Sequence, residues 1–114
     1  MRKVEFIKEN NSLVIYFYGE VDNQACKEYK SSIIDTINNY SYIDVILDFS
    51  NVTFIDSSGV GLIIGRYNQL KERGNTLSIR GTNKSIDKLF NVSGLWKILD
   101  TSRKKVSIWE ILWK

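Results

Sequence analysis

Six residues, Asp56-Ser57-Ser58-Gly59-Val60-Gly61, constrain the fold of this chain more than any others. Upstream, Val45 to Ile55 is an extended and mostly apolar segment. Downstream, Val60, Ile63, Ile64, Tyr67 and Leu70 recur at the spacing of one helical stripe, and the helix ends near Arg73. The six residues therefore turn a strand into a helix. Asp56 and Ser57 are placed to begin that helix, because their side-chain oxygens accept hydrogen bonds from first-turn amides that lack an intrahelical partner. Gly59 and Gly61 then sit where each costs about 1 kcal/mol relative to alanine. Two readings account for them. They pack against a neighbouring loop, or they leave the first turn bare so that a partner's backbone or a phosphate can approach.

The rest of the chain supplies a sheet for this junction. Val4 to Glu9 and Leu13 to Tyr18 read as a hairpin around Asn10-Asn11. Gly19-Glu20-Val21-Asp22 ends the second strand, and Asp22 or Asn23 caps a helix running to about Asn38. Ala25, Tyr29, Ile33, Ile34 and Ile37 face inward on that helix, and Cys26 belongs to the same buried stripe. Val45-Ile46-Leu47 is expected to be a strand covered on both faces and broken by Ser50-Asn51. Thr76 to Arg80 is a fourth strand, Asn83 to Val92 a helix, and Leu95 to Leu99 a short strand at an edge. A last helix, capped by Thr101 or Ser102, carries Val106, Trp109, Leu112 and Trp113 on one side. The expectation is one α/β domain over residues 1–114, with a mixed, mostly parallel sheet of four to five strands and about four helices.

Several function classes are excluded. The chain has no histidine, which removes Ser-His-Asp and Cys-His catalysis. With Cys26 as the single cysteine, the usual zinc site and any internal disulfide are also removed. Ser57 lacks the glycine flanks of a nucleophile elbow and has no base to activate it, so it reads as a substrate rather than a catalyst. No enzymatic activity and no cofactor are expected. A net charge of +3, without a basic stripe interleaved with aromatics, disfavours nucleic acid. No apolar run reaches the roughly 20 residues of a membrane span, and the N-terminal residues alternate rather than forming a secretory signal, so a cytoplasmic location is expected.

In a parallel sheet joined by helices, the strand C-termini share one edge, where sites gather. The loops Gly19 to Asn23, Thr53 to Gly59 and Gly81 to Lys84 are expected to meet there, bringing Asp22, Asp56 and Ser57 together. Asp22 is either part of such a site or a structural cap alone. A phosphate-accepting aspartate with Mg²⁺ would need an acidic pair after the first strand, where Lys8-Glu9-Asn10 stands instead.

The run from Phe54 to Tyr67 resembles the phosphorylation segment of the bacterial anti-sigma factor antagonists, the STAS domains. Gly19-Glu20-Val21-Asp22 is similar to the family's Gly-Glu-x-Asp, and Leu89 to Leu95 to its Leu-Phe-x-x-x-Gly-Leu segment. The Gly65-Arg66-Tyr67 continuation is closest to the sporulation branch, which acts in the sigma-F pathway, with the general-stress antagonists as the neighbouring branch. The resemblance implies a STAS fold. It also implies that the unphosphorylated protein binds an anti-sigma factor that is itself a serine kinase, so that sigma is released. The kinase phosphorylates the serine after the motif's aspartate, Ser57 here, and a PP2C-type phosphatase resets the protein. Asp22, Asp56, Ser58, Gly59, Gly61 and Gly65 are expected to form the surroundings and the partner surface, and the i, i+4 spacing of Gly61 and Gly65 predicts a flat strip that faces the partner. A different class of function, a small-ligand or nucleotide-binding STAS module, would use the same glycine-lined helix start.

Overall fold

A computed structural model describes residues 2–40 and 43–99. Strands β1 (Lys3–Glu9) and β2 (Ser12–Val21) pair antiparallel across Asn10-Asn11, with Glu9 opposite Ser12. Asn10 takes the left-handed conformation at φ 55°, which asparagine tolerates better than most residues. Then follow α1 (Asn23–Asn39), β3 (Asp44–Ile55), α2 (Ser57–Glu72), β4 (Leu77–Arg80) and α3 (Lys84–Val92). The strands lie in the order β1-β2-β3-β4, and β2, β3 and β4 run parallel.

One face of the sheet carries Leu13, Ile15 and Phe17 from β2 and Val45, Leu47 and Phe49 from β3, all buried. Ile33 of α1 and Ile63 of α2 meet Phe17, Leu47 and Phe49 there. Phe17 stacks on Phe49 at 5.2 Å, Phe90 of α3 meets Phe49 edge-on at 5.9 Å, and Trp96 meets Phe90 at 5.4 Å. Offset and edge-on ring pairs of this kind add about 0.5–1.5 kcal/mol each beyond the area they bury. The opposite face is different. Ile46 is only half-buried, so β3 is not covered equally on both sides as its apolar run suggested. There Arg80 Nε donates to Asp48 Oδ2 at 2.7 Å and Arg80 Nη2 donates to the Tyr16 hydroxyl at 2.8 Å, while the Tyr16 hydroxyl bonds Glu9.

Two expectations about elements are corrected. Ser50-Asn51 does not break β3. The pairing passes from Tyr16 opposite Asp48 to Tyr18 opposite Asn51, then from Gly19 opposite Val52 to Glu20 opposite Phe54, so β3 absorbs its extra residues as bulges. The Asp48 carboxylate accepts from the Ser50 amide at 2.8 Å, which satisfies a donor that the ladder leaves out. Gly81 follows β4 in close contact with this bulge. A Cβ there would lie 2.8 Å from the Ser50 backbone nitrogen, and its φ of 76° is one that glycine alone adopts freely.

The second correction is that Leu95 to Leu99 is not a strand. Residues 95–99 are helical, with the Ile98 amide donating to the Gly94 carbonyl, and Leu95 and Leu99 are buried at i, i+4 spacing. Among the described residues the sheet therefore has four strands, within the expected four to five, and a fourth helical segment begins at Leu95. The last predicted helix, with Val106, Trp109, Leu112 and Trp113, lies outside the described residues.

Candidate functional site

The parallel register fixes the site. Val21 pairs with Ile55, so the next residue on each strand, Asp22 and Asp56, leaves the sheet at the same level. Each then caps a helix from an extended backbone conformation. Asp22 Oδ1 accepts from the Ala25 amide at 2.9 Å, and Asp56 Oδ1 accepts from the Ser58 amide at 2.9 Å. Both carboxylates act on one common neighbour. Burial first, then the charges of Asp56 and Asp22, push the Cys26 thiol up to about 11. Asp22 has a further partner that periodicity does not reveal: Arg2 spans Asp22 at 3.5 Å and Glu28 at 3.1 Å.

The two serines differ. Ser57, the first residue of α2, is exposed. Ser58 is half-buried, and its hydroxyl donates to Asn23 Oδ1 at 3.4 Å, linking the start of α2 to the start of α1. The loop after β4 does not join them. β4 ends at Arg80, opposite Asp48, whereas β3 continues to Ile55. Gly81 lies against Ser50, five residues before Ile55, so this loop begins well short of the edge occupied by Asp22 and Asp56. The site is therefore built by two strand-to-helix junctions rather than three loops.

The glycines separate into two kinds. Gly59 is buried, and a Cβ on it would sit 2.5 Å from Ile55 Cγ1 and 3.2 Å from the Val21 carbonyl oxygen. Its close approach lets α2 seat on the ends of β2 and β3. Gly61 and Gly65 are open, with no atom within 4 Å of a Cβ placed on either. They line a cleft of about 300 Å³ between α1 and α2, together with Lys27 and Lys30 of α1.

The buried stripe of α2 is also broader than its apolar spacing suggested. Val60, Ile63 and Leu70 are buried as expected, Ile64 and Tyr67 only half so, and Leu62 and Arg66 are buried as well. α2 is held between the sheet and α1, so it needs a second buried edge facing α1. Arg66 escapes a search for apolar periodicity because it is charged. Its place at i+4 between Leu62 and Leu70 is the signal that could have found it.

The mixed sheet with its helices, and a strand edge that opens two capped helices, define an α/β domain, and residues 3–107 match the STAS domain family model. The chain belongs to the STAS domain family. An anti-sigma F factor antagonist of Paenibacillus polymyxa is 27% identical over 97 residues, covering 85% of this chain and 83% of that protein. An anti-sigma-B factor antagonist of Bacillus subtilis is 24% identical over 99 residues, covering 86% and 89%. Among solved structures, the Bacillus cell fate determinant SpoIIAA in its phosphorylated form superimposes with a TM-score of 0.65 at 28% identity, covering 83% of this chain and 86% of that one.

Proposed function

We propose that this chain is an antagonist of an anti-sigma factor and that Ser57 is its switch. Unphosphorylated, it binds an anti-sigma factor that is also a serine kinase, and the sigma factor is set free. The kinase transfers phosphate to Ser57, the complex separates, and a PP2C-type phosphatase restores the first state. The observation that carries this reading is the position of Ser57, exposed on the first turn of α2 directly after the Asp56 cap. The relatives named for anti-sigma F and anti-sigma-B antagonism support it, as does a related fold known in phosphorylated form. Of the two branches, the sporulation sigma-F pathway is favoured by identities of 27% and 30% to its members, against 24% and 27% for anti-sigma-B antagonists. The setting would be the cytoplasm.

Physical chemistry agrees with a switch that spares the fold. A phosphate brings a charge of about −1.5 to −2. Free amides and the dipole at the start of α2 favour it by about 0.3–1 kcal/mol on an exposed site. Asp22 and Asp56 oppose it by about 1 kcal/mol each at 4 Å in water. The repulsion is the larger, and the net penalty inside the protein is on the order of 1–3 kcal/mol, which a folded domain can carry. At an interface that encloses the dianion without a countercharge, desolvation adds a further cost of several kcal/mol. Incubation with the cognate kinase and ATP, followed by peptide mapping, tests the assignment. Phosphate is expected on Ser57, and phosphate on Ser58 alone would overturn it.

A further inference from the structure

Arg66 is 8% exposed, yet its Nε and Nη1 are enclosed without a hydrogen-bond partner. A buried guanidinium with neither hydrogen bond nor countercharge is expensive, because it has lost its water and gained nothing in return. Burial accordingly pulls its pKa down from the ordinary arginine value, with no opposing carboxylate. Arg66 lines the cleft between α1 and α2, and Lys27 and Lys30 line the same cleft from α1. No acidic residue lines it. Three cations thus converge on one concavity, and Arg66, the buried one, is the most costly of them.

We propose that this cleft is a binding site for a small phosphate-class oxyanion, free phosphate or a short phosphomonoester, held by Arg66 with Lys27 and Lys30. Nη2, the guanidinium nitrogen that is not enclosed, is the one that can donate to an anion in the cleft, and the lysines add point charges. The volume of about 300 Å³ is at the bottom of the range for small-molecule sites, so a short phosphomonoester fits and a whole nucleoside triphosphate is not enclosed. Gly61 and Gly65 leave the α2 wall bare, which gives the anion its room. The cleft reaches the start of α2 at Ser58, but Ser57 does not line it and Arg66 lies two turns further along the helix.

The test is a chemical-shift titration of the full chain with inorganic phosphate and with glycerol 3-phosphate, each against sodium chloride at matched ionic strength. Saturable shifts are expected at the amides of Gly61, Gly65 and Lys27. Arg66→Met replaces the unpaired cation by an apolar chain of similar length, so it is expected to fold and to weaken binding about tenfold or more. The Lys27→Ala/Lys30→Ala pair alters only exposed positions, leaves the fold intact, and is expected to weaken binding similarly. Tighter binding of the ester assigns the site to a phosphomonoester, and equal binding assigns it to free phosphate. A response that does not saturate, that centres on Ser57 and Ser58 alone, or that persists unchanged in the lysine pair would overturn the proposal.

Discussion

At the scale of single residues, the junction before α2 separates neighbours that look interchangeable. Ser57 and Ser58 are both serines after an aspartate, but only Ser58 has its amide and hydroxyl engaged within the fold. Gly59 and Gly61 are both glycines in the first turns of a helix, but only Gly59 is packed. Gly59→Ala would push a methyl group into Ile55 and the Val21 carbonyl. The strain of overpacking, about 1–3 kcal/mol, exceeds the roughly 1 kcal/mol of better helix propensity. A net loss of up to about 2 kcal/mol is expected, seen as a melting temperature lower by several degrees. An unchanged melting temperature would show that Ile55 yields freely.

Cys26 gives a prediction in pH. Its folded-state pKa is raised to about 11 from 9.0, so folding favours the neutral thiol. That contribution is complete below about pH 9 and is lost as pH rises through about 11. Urea midpoints at pH 8 and pH 10.5 should therefore fall further for the wild type than for Cys26→Ala, in which the tyrosines titrate alike. Equal falls would contradict it. The caps at Asp22 and Asp56 were legible in the sequence because capping is local. Arg66 was not, because a charge on a helix reads as solvent-facing unless the packing of α1 is known.

Elements were legible wherever one periodicity ruled. The hairpin, α1, α2 and α3 follow their apolar spacing closely. β3 was harder, because bulges place polar Ser50 and Asn51 inside a continuous strand. Leu95 to Leu99 was misread for a definite reason. Five residues, Leu-Trp-Lys-Ile-Leu, fit a period of two or of 3.6 almost equally well. Gly94, in the left-handed conformation at φ 79°, ends one helix and starts the next rather than leading into a strand. The strip on α2 carries the prediction at this scale. Gly65 has open space beside it, so Gly65→Ala should raise stability by up to about 1 kcal/mol. If the strip meets the anti-sigma partner, the same methyl group holds the surfaces apart, and affinity should fall about tenfold or more. Calorimetric melting and titration on one preparation separate the two effects. Lower stability with unchanged binding would show that the glycine serves internal packing instead.

At the scale of the whole molecule, the sheet brings two junctions to one level, while the third loop begins short of it, at Gly81 beside Ser50. The third loop was misplaced because strand lengths, not strand order, decide which loops meet. The resulting surface is small: two capping carboxylates, one exposed serine and a bare helix face. Under the proposed function, such a surface would switch partners through charge, without a change of fold. The most direct test is the affinity of Ser57→Asp for the cognate anti-sigma kinase, measured beside its melting temperature at two salt concentrations. Aspartate is tolerated at a helix start, so stability should change by less than about 1 kcal/mol. At the interface its charge is unpaired and desolvated, and affinity should fall by roughly 2–4 kcal/mol, about 30- to 1000-fold. If binding instead survives within a few-fold at low salt, where repulsion between exposed charges is strongest, then charge is not what separates the partners.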